Sequence, residues 1–560
     1  MKFKEMPYER PDIQAILNEL DEINVHLASS SDAVEQIELI KKLDMLKKDF
    51  ETSYSLCSVR HSINTKDEFY EQENSFFNEN APLVAAAETK VNKTILESPF
   101  RSELEREFGS HYFQLLDCSL ALKDEAIPYL QKENDLVSRY EKLIANAKIE
   151  FRGETYTLTQ MAPHLQNPDR EYRREAYKAQ NAWFRENEDS FDQIYDDMVK
   201  VRNSMAKALG YENYVALQYK LLNRTDYDAR DVAGYRDKIL STITPLAVKL
   251  RQQQANRLEI EDFKYFDLPI DFRSGNAKPL GDDKFIVKEA QTMYSQLSPE
   301  TGRFFSFMVE NELMDLNARP GKRSGGYCTS FDKYKSPFIF SNFNGSKGDV
   351  EVITHEAGHA FQNFMSQDMP LSSLIWPTYE ACEIHSMSME FLTWPWMDLF
   401  FGDQAEKFKY SALKGAITFI PYGCTIDEFQ HFVYEHPEAS PAERKEQYHK
   451  IEMKYQPDLD YDDDFLNGGT YWFRQGHVFS SPFYYIDYTL AQVCAFQYLL
   501  KSLDDRKACI DEYIALCKAG GEKSFFQLLE VGGIENPMTT DVLERICPRL
   551  LNILENMDVR

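Results

Sequence analysis

His355, Glu356 and His359 stand in the order His-Glu-Ala-Gly-His. Residues four apart lie one above the other on a helix face, so two imidazoles at this spacing can grip one metal ion. The carboxylate after the first imidazole then stands beside the metal and can take a proton from water. The chemistry this predicts is metal-assisted hydrolysis. Two surface histidines on an ordinary helix match the same five letters, so the flanking elements have to carry the reading.

Those elements read as strand, turn and helix. The run Ser-Pro-Phe-Ile-Phe-Ser-Asn-Phe over 336–343 is aromatic and β-favouring. Asn-Gly-Ser-Lys-Gly over 344–348 is turn chemistry. Asp349 is expected to cap a helix over about 349–365, with Glu351 adding an acid to its first turn. Val350, Ile353 and Ala357 then form a stripe to bury at helical spacing.

A catalytic zinc needs three protein ligands and one open position. The continuation Ala-Phe-Gln-Asn-Phe-Met over 360–365 lacks the third histidine that a metzincin site carries, so the third ligand is expected from a carboxylate on a later helix. Over about 378–393, Glu380, Glu383, Met387 and Glu390 are spaced 3, 4 and 3 and share one helical face. Trp376, Trp394 and Trp396 flank the stretch and suggest burial. A buried carboxylate needs a partner, and a metal or a metal-bound histidine supplies one. Glu383 is read as the third ligand, with Glu380 and Glu390 supporting the site. An acidic face turned to solvent is the alternative. His385 points roughly opposite to Glu383 and reads as a packing or surface histidine.

These residues resemble the thimet oligopeptidase and oligoendopeptidase F family of zinc metallopeptidases. The resemblance rests on His-Glu-Ala-Gly-His followed by Glu-Ile-His-Ser over 383–386, on the lead-in Pro-Phe-Ile-Phe-Ser-Asn over 337–342, and on a third block, His-Val-Phe-Ser-Ser-Pro-Phe-Tyr-Tyr-Ile-Asp-Tyr over 477–488. Its motifs cover about residues 320 to 500, and it looks closest to the short bacterial members, including the Pz-peptidases that cut collagen-derived peptides. The block lacks the Gly-Gly pair of thimet-type members, and Ala357 stands where members often carry a larger residue. The resemblance implies a zinc-dependent endopeptidase for short unfolded peptides, with a deep channel between two helical lobes that excludes folded proteins.

In that mechanism one zinc ion lowers the pKa of its bound water from about 15.7 to near 7. Glu356 accepts the proton and passes it to the leaving amine. The oxyanion needs a fixed donor, for which His477, Tyr484 and Tyr488 are the candidates. Tyr484 and Tyr488 are four apart, so on a helix their hydroxyls can aim at one spot. Taken alone, the block reads rather as an aromatic core stripe, to which Phe479, Phe483 and Tyr485 are assigned; the resemblance is what brings His477, Tyr484 and Tyr488 forward. The strand Phe338–Asn342 is expected to be an exposed edge that pairs with substrate backbone. Gly325-Gly326-Tyr327 is either a flap beside it or an ordinary turn.

The whole chain of 560 residues is expected to be mostly helical, with two lobes and a small mixed sheet beside the zinc helices. An N-terminal helical lobe is placed over 1–160 and the catalytic region over 161–560. Ile13, Ile16, Leu17, Leu20 and Ile23 mark the first amphipathic helix. A hairpin is predicted about Arg152-Gly153. The net charge of −28 argues against nucleic acid or anionic lipid as partner. No run of about 18 apolar residues and no apolar signal core are seen, so a cytoplasmic protein without a membrane partner is expected. Nine cysteines without a CxxC pair fit reduced thiols, and Cys382 reads as a small packing residue. His111, His164, His431 and His449 have no ligand spacing. Three rival readings stand beside the endopeptidase: a metallocarboxypeptidase on a related helical scaffold, a peptide-binding protein without catalysis, and a structural zinc site. Glu356 argues against the second, and the lack of suitably spaced cysteines against the third.

Overall fold

The Ile13 stripe does form a helix, Ile13–Ser29, started by Asp12, whose side chain accepts the Ala15 N–H. In the computed structural model, which describes residues 1–559, Ile16, Leu20, Ile23 and Leu27 are its buried face. With the long helices Ala33–Ile63 and Glu68–Leu96 it builds a core around Phe50, Phe77 and Ile95. Leu371 and Leu374, from the segment between two site helices, enter this same core. The helix Ile127–Ala145 then leans on the far part of the chain. Tyr140 stacks on Phe479 at 3.9 Å and donates to the Phe473 carbonyl at 3.2 Å.

The predicted hairpin is present. Strands β1 (Ile149–Phe151) and β2 (Glu154–Tyr156) pair antiparallel about Arg152 and Gly153, both with positive φ as a tight hairpin turn requires. Most of the rest is helical, and the remaining strands form one three-stranded sheet. Its strands are β3 (Met314–Asn317), β4 (Tyr327–Phe331) and β5 (Ser336–Phe343), in the order β3-β5-β4. β3 runs parallel to β5 and β4 antiparallel, so the sheet is mixed. Lys322, buried, ties the connecting loop down by donating to Asp315 Oδ1 at 2.6 Å and to the Asn317 carbonyl at 3.0 Å.

Here one expectation fails. β5 is the central strand, with all but Asn342 buried, and so Phe338–Asn342 is no edge. The reason lies in its composition: Phe338, Ile339 and Phe340 are apolar on both faces and have to be covered on both. The edges are β3 and β4, and β4, whose Tyr327, Cys328 and Thr329 are only partly buried, is the one that lines a large cavity.

The turn Asn344–Lys347 leads from β5 into the helix Gly348–Ser366. Asp349 is not its cap. It lies in the first turn, buried, and its carboxylate accepts the N–H groups of Asn344 at 2.9 Å and Gly345 at 2.8 Å. The carboxylate thus satisfies donors of the turn behind it, while its charge still favours the helix start. Val350, Ile353 and Ala357 are fully buried as read.

The glutamate helix, Tyr379–Leu392, packs between the Gly348–Ser366 helix and the helix Tyr485–Asp504. Gly358 is the crossing point. A Cβ there would lie 2.6 Å from the His385 carbonyl oxygen and 2.6 Å from Ser386 Cα. Both are backbone atoms and cannot swing aside. Alanine at 358 would gain about 1 kcal/mol in helix propensity and lose about 1–3 kcal/mol to overpacking. We therefore expect Gly358→Ala to lower the thermal unfolding midpoint; a higher midpoint would show that the two helices part freely.

Candidate active site

A cavity of about 900 Å³ is lined by segments far apart in the chain. Glu51 and Tyr54 line it from an N-terminal helix, Gly325 to Thr329 from the loop and edge strand β4, and His477 from the later block. Arg323, beside the glycines, pairs with Glu141 of the Ile127–Ala145 helix at 2.5 Å and so ties the loop to the other wall.

On the cavity wall, the Gly348–Ser366 helix presents both imidazoles on one face, ring centroids 5.1 Å apart. Glu383 faces them from the neighbouring helix. Its Oε2 is 3.2 Å from His355 Nε2 and 3.4 Å from His359 Nε2. One donor atom from each of the three lies within 4.8 Å of the others. Glu383 itself is 1 % exposed and is oriented by two hydroxyls. Ser386 Oγ donates to Oε2 at 2.8 Å, and the Tyr484 hydroxyl donates to Oε1. Burial alone would raise the Glu383 pKa, but the two imidazoles hold it well below the usual carboxylate range. Glu390 accepts from His355 Nδ1 at 2.7 Å, which leaves the Nε2 lone pair for a cation.

The donor set fits zinc: two imidazole nitrogens and one carboxylate oxygen, with the cavity side open. Glu356 adds a second sign. It is buried, its Oε2 has no hydrogen-bond partner, and burial raises its pKa. A Cβ at Gly326 would sit 3.3 Å from its Oε1, so the glycine leaves the space over this carboxylate free of side chain.

The third block reaches the same cavity. His477 Nε2 is 3.1 Å from the Tyr488 hydroxyl, and the Tyr484 and Tyr488 rings lie 4.8 Å apart. Burial pushes the His477 pKa down to about 4, so the ring is neutral near pH 7. Phe483, just before Tyr484, is held at φ +63. Its N–H donates to Gln430 Oε1 at 3.0 Å and its carbonyl accepts from Arg224 Nη2 at 2.6 Å, so the strained residue is fixed at both ends.

Glu380 lies elsewhere than expected. Three residues turn a helix by 300°, so Glu380 sits about 60° round from Glu383, and no hydrogen bond joins it to either histidine of the motif. Its charged neighbours are Arg224 and Asp487, which pair with each other at 2.7 Å. His385 is fully buried, with its Nδ1 2.5 Å from the Ala381 carbonyl, a packing role as read. The sequence reading passed over Arg224, Gln475 and Tyr422. Gln475 at least stands two residues before His477; Arg224 and Tyr422 carry no local signal.

The Peptidase family M3 pattern matches residues 164–278 and 300–547, and the Peptidase M3 N-terminal domain pattern matches 3–122. The chain belongs to peptidase family M3. It is 22% identical over 459 residues to the chromosomal oligoendopeptidase F of Lactococcus lactis subsp. cremoris, covering 74% of this chain and 70% of that one. A solved structure described as Pz peptidase A with inhibitor 2 superposes with a TM-score of 0.98 at 46% identity over the full length of both chains. A putative oligoendopeptidase F from Bacillus anthracis str. Ames does so at 0.93 and 44%, covering 100% of this chain and 99% of that one. M3 members are metallo-oligopeptidases, generally zinc-dependent, so this chain is a hydrolase of oligopeptides and the carboxypeptidase reading is not favoured. Among the described residues of this M3 peptidase no helix is long and apolar enough to cross a membrane.

Two outcomes are expected. Glu390→Ala removes the acceptor of His355 Nδ1 and should weaken zinc binding about 10–100-fold; competition with a chromogenic chelator measures this, and unchanged affinity would sink the supporting role. Arg224→Met leaves Asp487 and Glu380 buried without a cation and should cost about 3–5 kcal/mol, read as a fall in the denaturant midpoint.

Proposed function

We propose that this M3 peptidase is a zinc-dependent endopeptidase that cuts internal bonds of short unfolded peptides in the cytoplasm. The observation that carries the reading is the convergence of His355, His359 and Glu383 on one point of a closed-in cavity, with the unpartnered Glu356 carboxylate beside them. The relatives named oligoendopeptidase F support internal cleavage over end-trimming.

His355, His359 and Glu383 would hold the ion. Zinc, when bound, acidifies water and polarises a carbonyl. Glu356 takes the proton of the attacking water and later gives it to the leaving amine; its buried, unpaired oxygen is placed to hold that proton. The carbonyl oxygen becomes negative and needs donors aimed at it in advance. Tyr484 has its proton committed to Glu383, so Tyr488, backed by His477, is the phenol with a proton to offer. An extended peptide adds to the free edge of β4, where backbone bonds give affinity without demanding a sequence. Gly325 and Gly326 keep that approach clear of side chains.

An internally quenched peptide blocked at both ends tests the reading. We expect cleavage that a chelator abolishes and zinc restores. Trimming of free C-termini with the blocked peptide left intact would overturn it. Glu356→Gln should keep peptide and zinc binding while turnover falls by several orders of magnitude.

A further inference from the structure

The hydroxyl of Tyr488 is useful to the reaction only if its proton points at the substrate. What decides this is the imidazole behind it. A neutral imidazole carries one N–H and one bare nitrogen, and which is which depends on the partner of the other side. If His477 Nε2 carries the hydrogen, it donates to the Tyr488 oxygen and the phenol proton is free. If Nε2 is bare, it takes the Tyr488 proton and the phenol has nothing to give.

The other side of the ring is occupied by Gln475. Its Nε2 is 2.8 Å from His477 Nδ1, and its Oε1 accepts from the Tyr422 hydroxyl at 3.2 Å. An amide is an acceptor at one end and a donor at the other, so it transmits a direction. Tyr422 donates to Oε1, Nε2 donates to Nδ1, and Nδ1 is thereby the bare nitrogen. Nε2 then carries the hydrogen and donates to Tyr488 at 3.1 Å. The main chain that carries the amide is itself anchored. Gln475 N–H donates to the Trp472 carbonyl at 2.9 Å, and its own carbonyl accepts from Val478 N–H at 3.1 Å.

We propose that Gln475 is a positioning residue of the hydrolytic reaction: its side-chain amide fixes His477 as the Nε2–H tautomer and so frees the Tyr488 proton for the scissile carbonyl oxygen. The kinetic part of this rests on the hydrolase reading above; the tautomer part does not. Gln475 touches no reacting atom. Turned about, the same amide would present Oε1 to Nδ1, place the imidazole hydrogen there, and silence Tyr488. The shape of the site would be unchanged while its donor was lost.

The test uses full-length, zinc-loaded protein labelled with 15N-histidine, in which the His477 signals are assigned by their loss in His477→Gln. In the unmutated protein we expect Nδ1 at the shift of a bare nitrogen and Nε2 at that of a protonated one. Gln475→Glu offers an acceptor only and should reverse the two shifts. Gln475→Leu removes the constraint and should give averaged shifts. With the blocked peptide, kcat should fall about 10-fold in Gln475→Leu and further in Gln475→Glu, approaching the loss of about 10² that removal of an oxyanion donor brings, with KM within about twofold. Zinc content and melting midpoint are read on the same samples. An Nδ1–H tautomer in the unmutated protein, or Gln475→Glu with unaltered shifts and kcat, overturns the proposal. If no peptide is cut at all, the endopeptidase reading fails while the shifts still decide the role of Gln475.

Discussion

The crossing at Gly358 is the contact on which the site depends. Two imidazoles four apart reach a common point only about one side-chain length from their helix. The third donor, Glu383, is short and rides on a separate helix. The three meet because backbone lies on backbone at 358, with no Cβ between the helix of the histidines and the His385–Ser386 segment. The same contact places Ser386 to bond Glu383 and brings Glu390 to His355. A looser crossing would separate the ligands and their supports together.

Burial then makes every charge in this region costly, and the structure sets most of them, though not Glu356, against an opposite charge or a donor. Glu383 faces two imidazoles and two hydroxyls. Glu390 takes the His355 N–H. Arg224 stands against Asp487 and Glu380, stacks on Tyr219 at 4.3 Å, and holds the Phe483 carbonyl. Through Phe483 that internal cation fixes where Tyr484 begins its helix. Electrostatics beneath the site and geometry within it are thus one construction.

What was legible in the sequence followed from local rules. His355, Glu356 and His359 sit on one helix, and the 3.6-residue period is enough to place them. The hairpin at Arg152-Gly153 and the stripe from Ile13 follow from turn chemistry and amphipathic spacing. Glu383 was readable because apolar neighbours announced a buried helix that needed a reason for its acids. The misreadings share a cause. Asp349 looks like a cap, but a turn folded back over it competes for its carboxylate. Phe338–Asn342 looks like a strand and is one; its place in the sheet depends on β3 and β4, which lie apart in sequence. Glu380 shares the face of Glu383 to within 60°, and a buried arginine more than 150 residues earlier claims it. Long-range partners decide these cases, and a local pattern holds no record of them.

A last regularity concerns protons. In a buried polar site each hydrogen is either committed to an acceptor or available for chemistry. His355 Nδ1–H is committed to Glu390, Ser386 and Tyr484 to Glu383, and the Tyr513 hydroxyl to the His385 carbonyl. After these assignments Glu356 Oε2 accepts from nothing, and with His477 as the Nε2–H tautomer the hydrogen of Tyr488 is not given to that ring. Hydrolysis of a peptide needs one proton acceptor for water and one donor for the carbonyl oxygen. The metal ligands and their direct supports are bonded to one another, and Glu356 and Tyr488, which line the same cavity as β4, are left for those two functions.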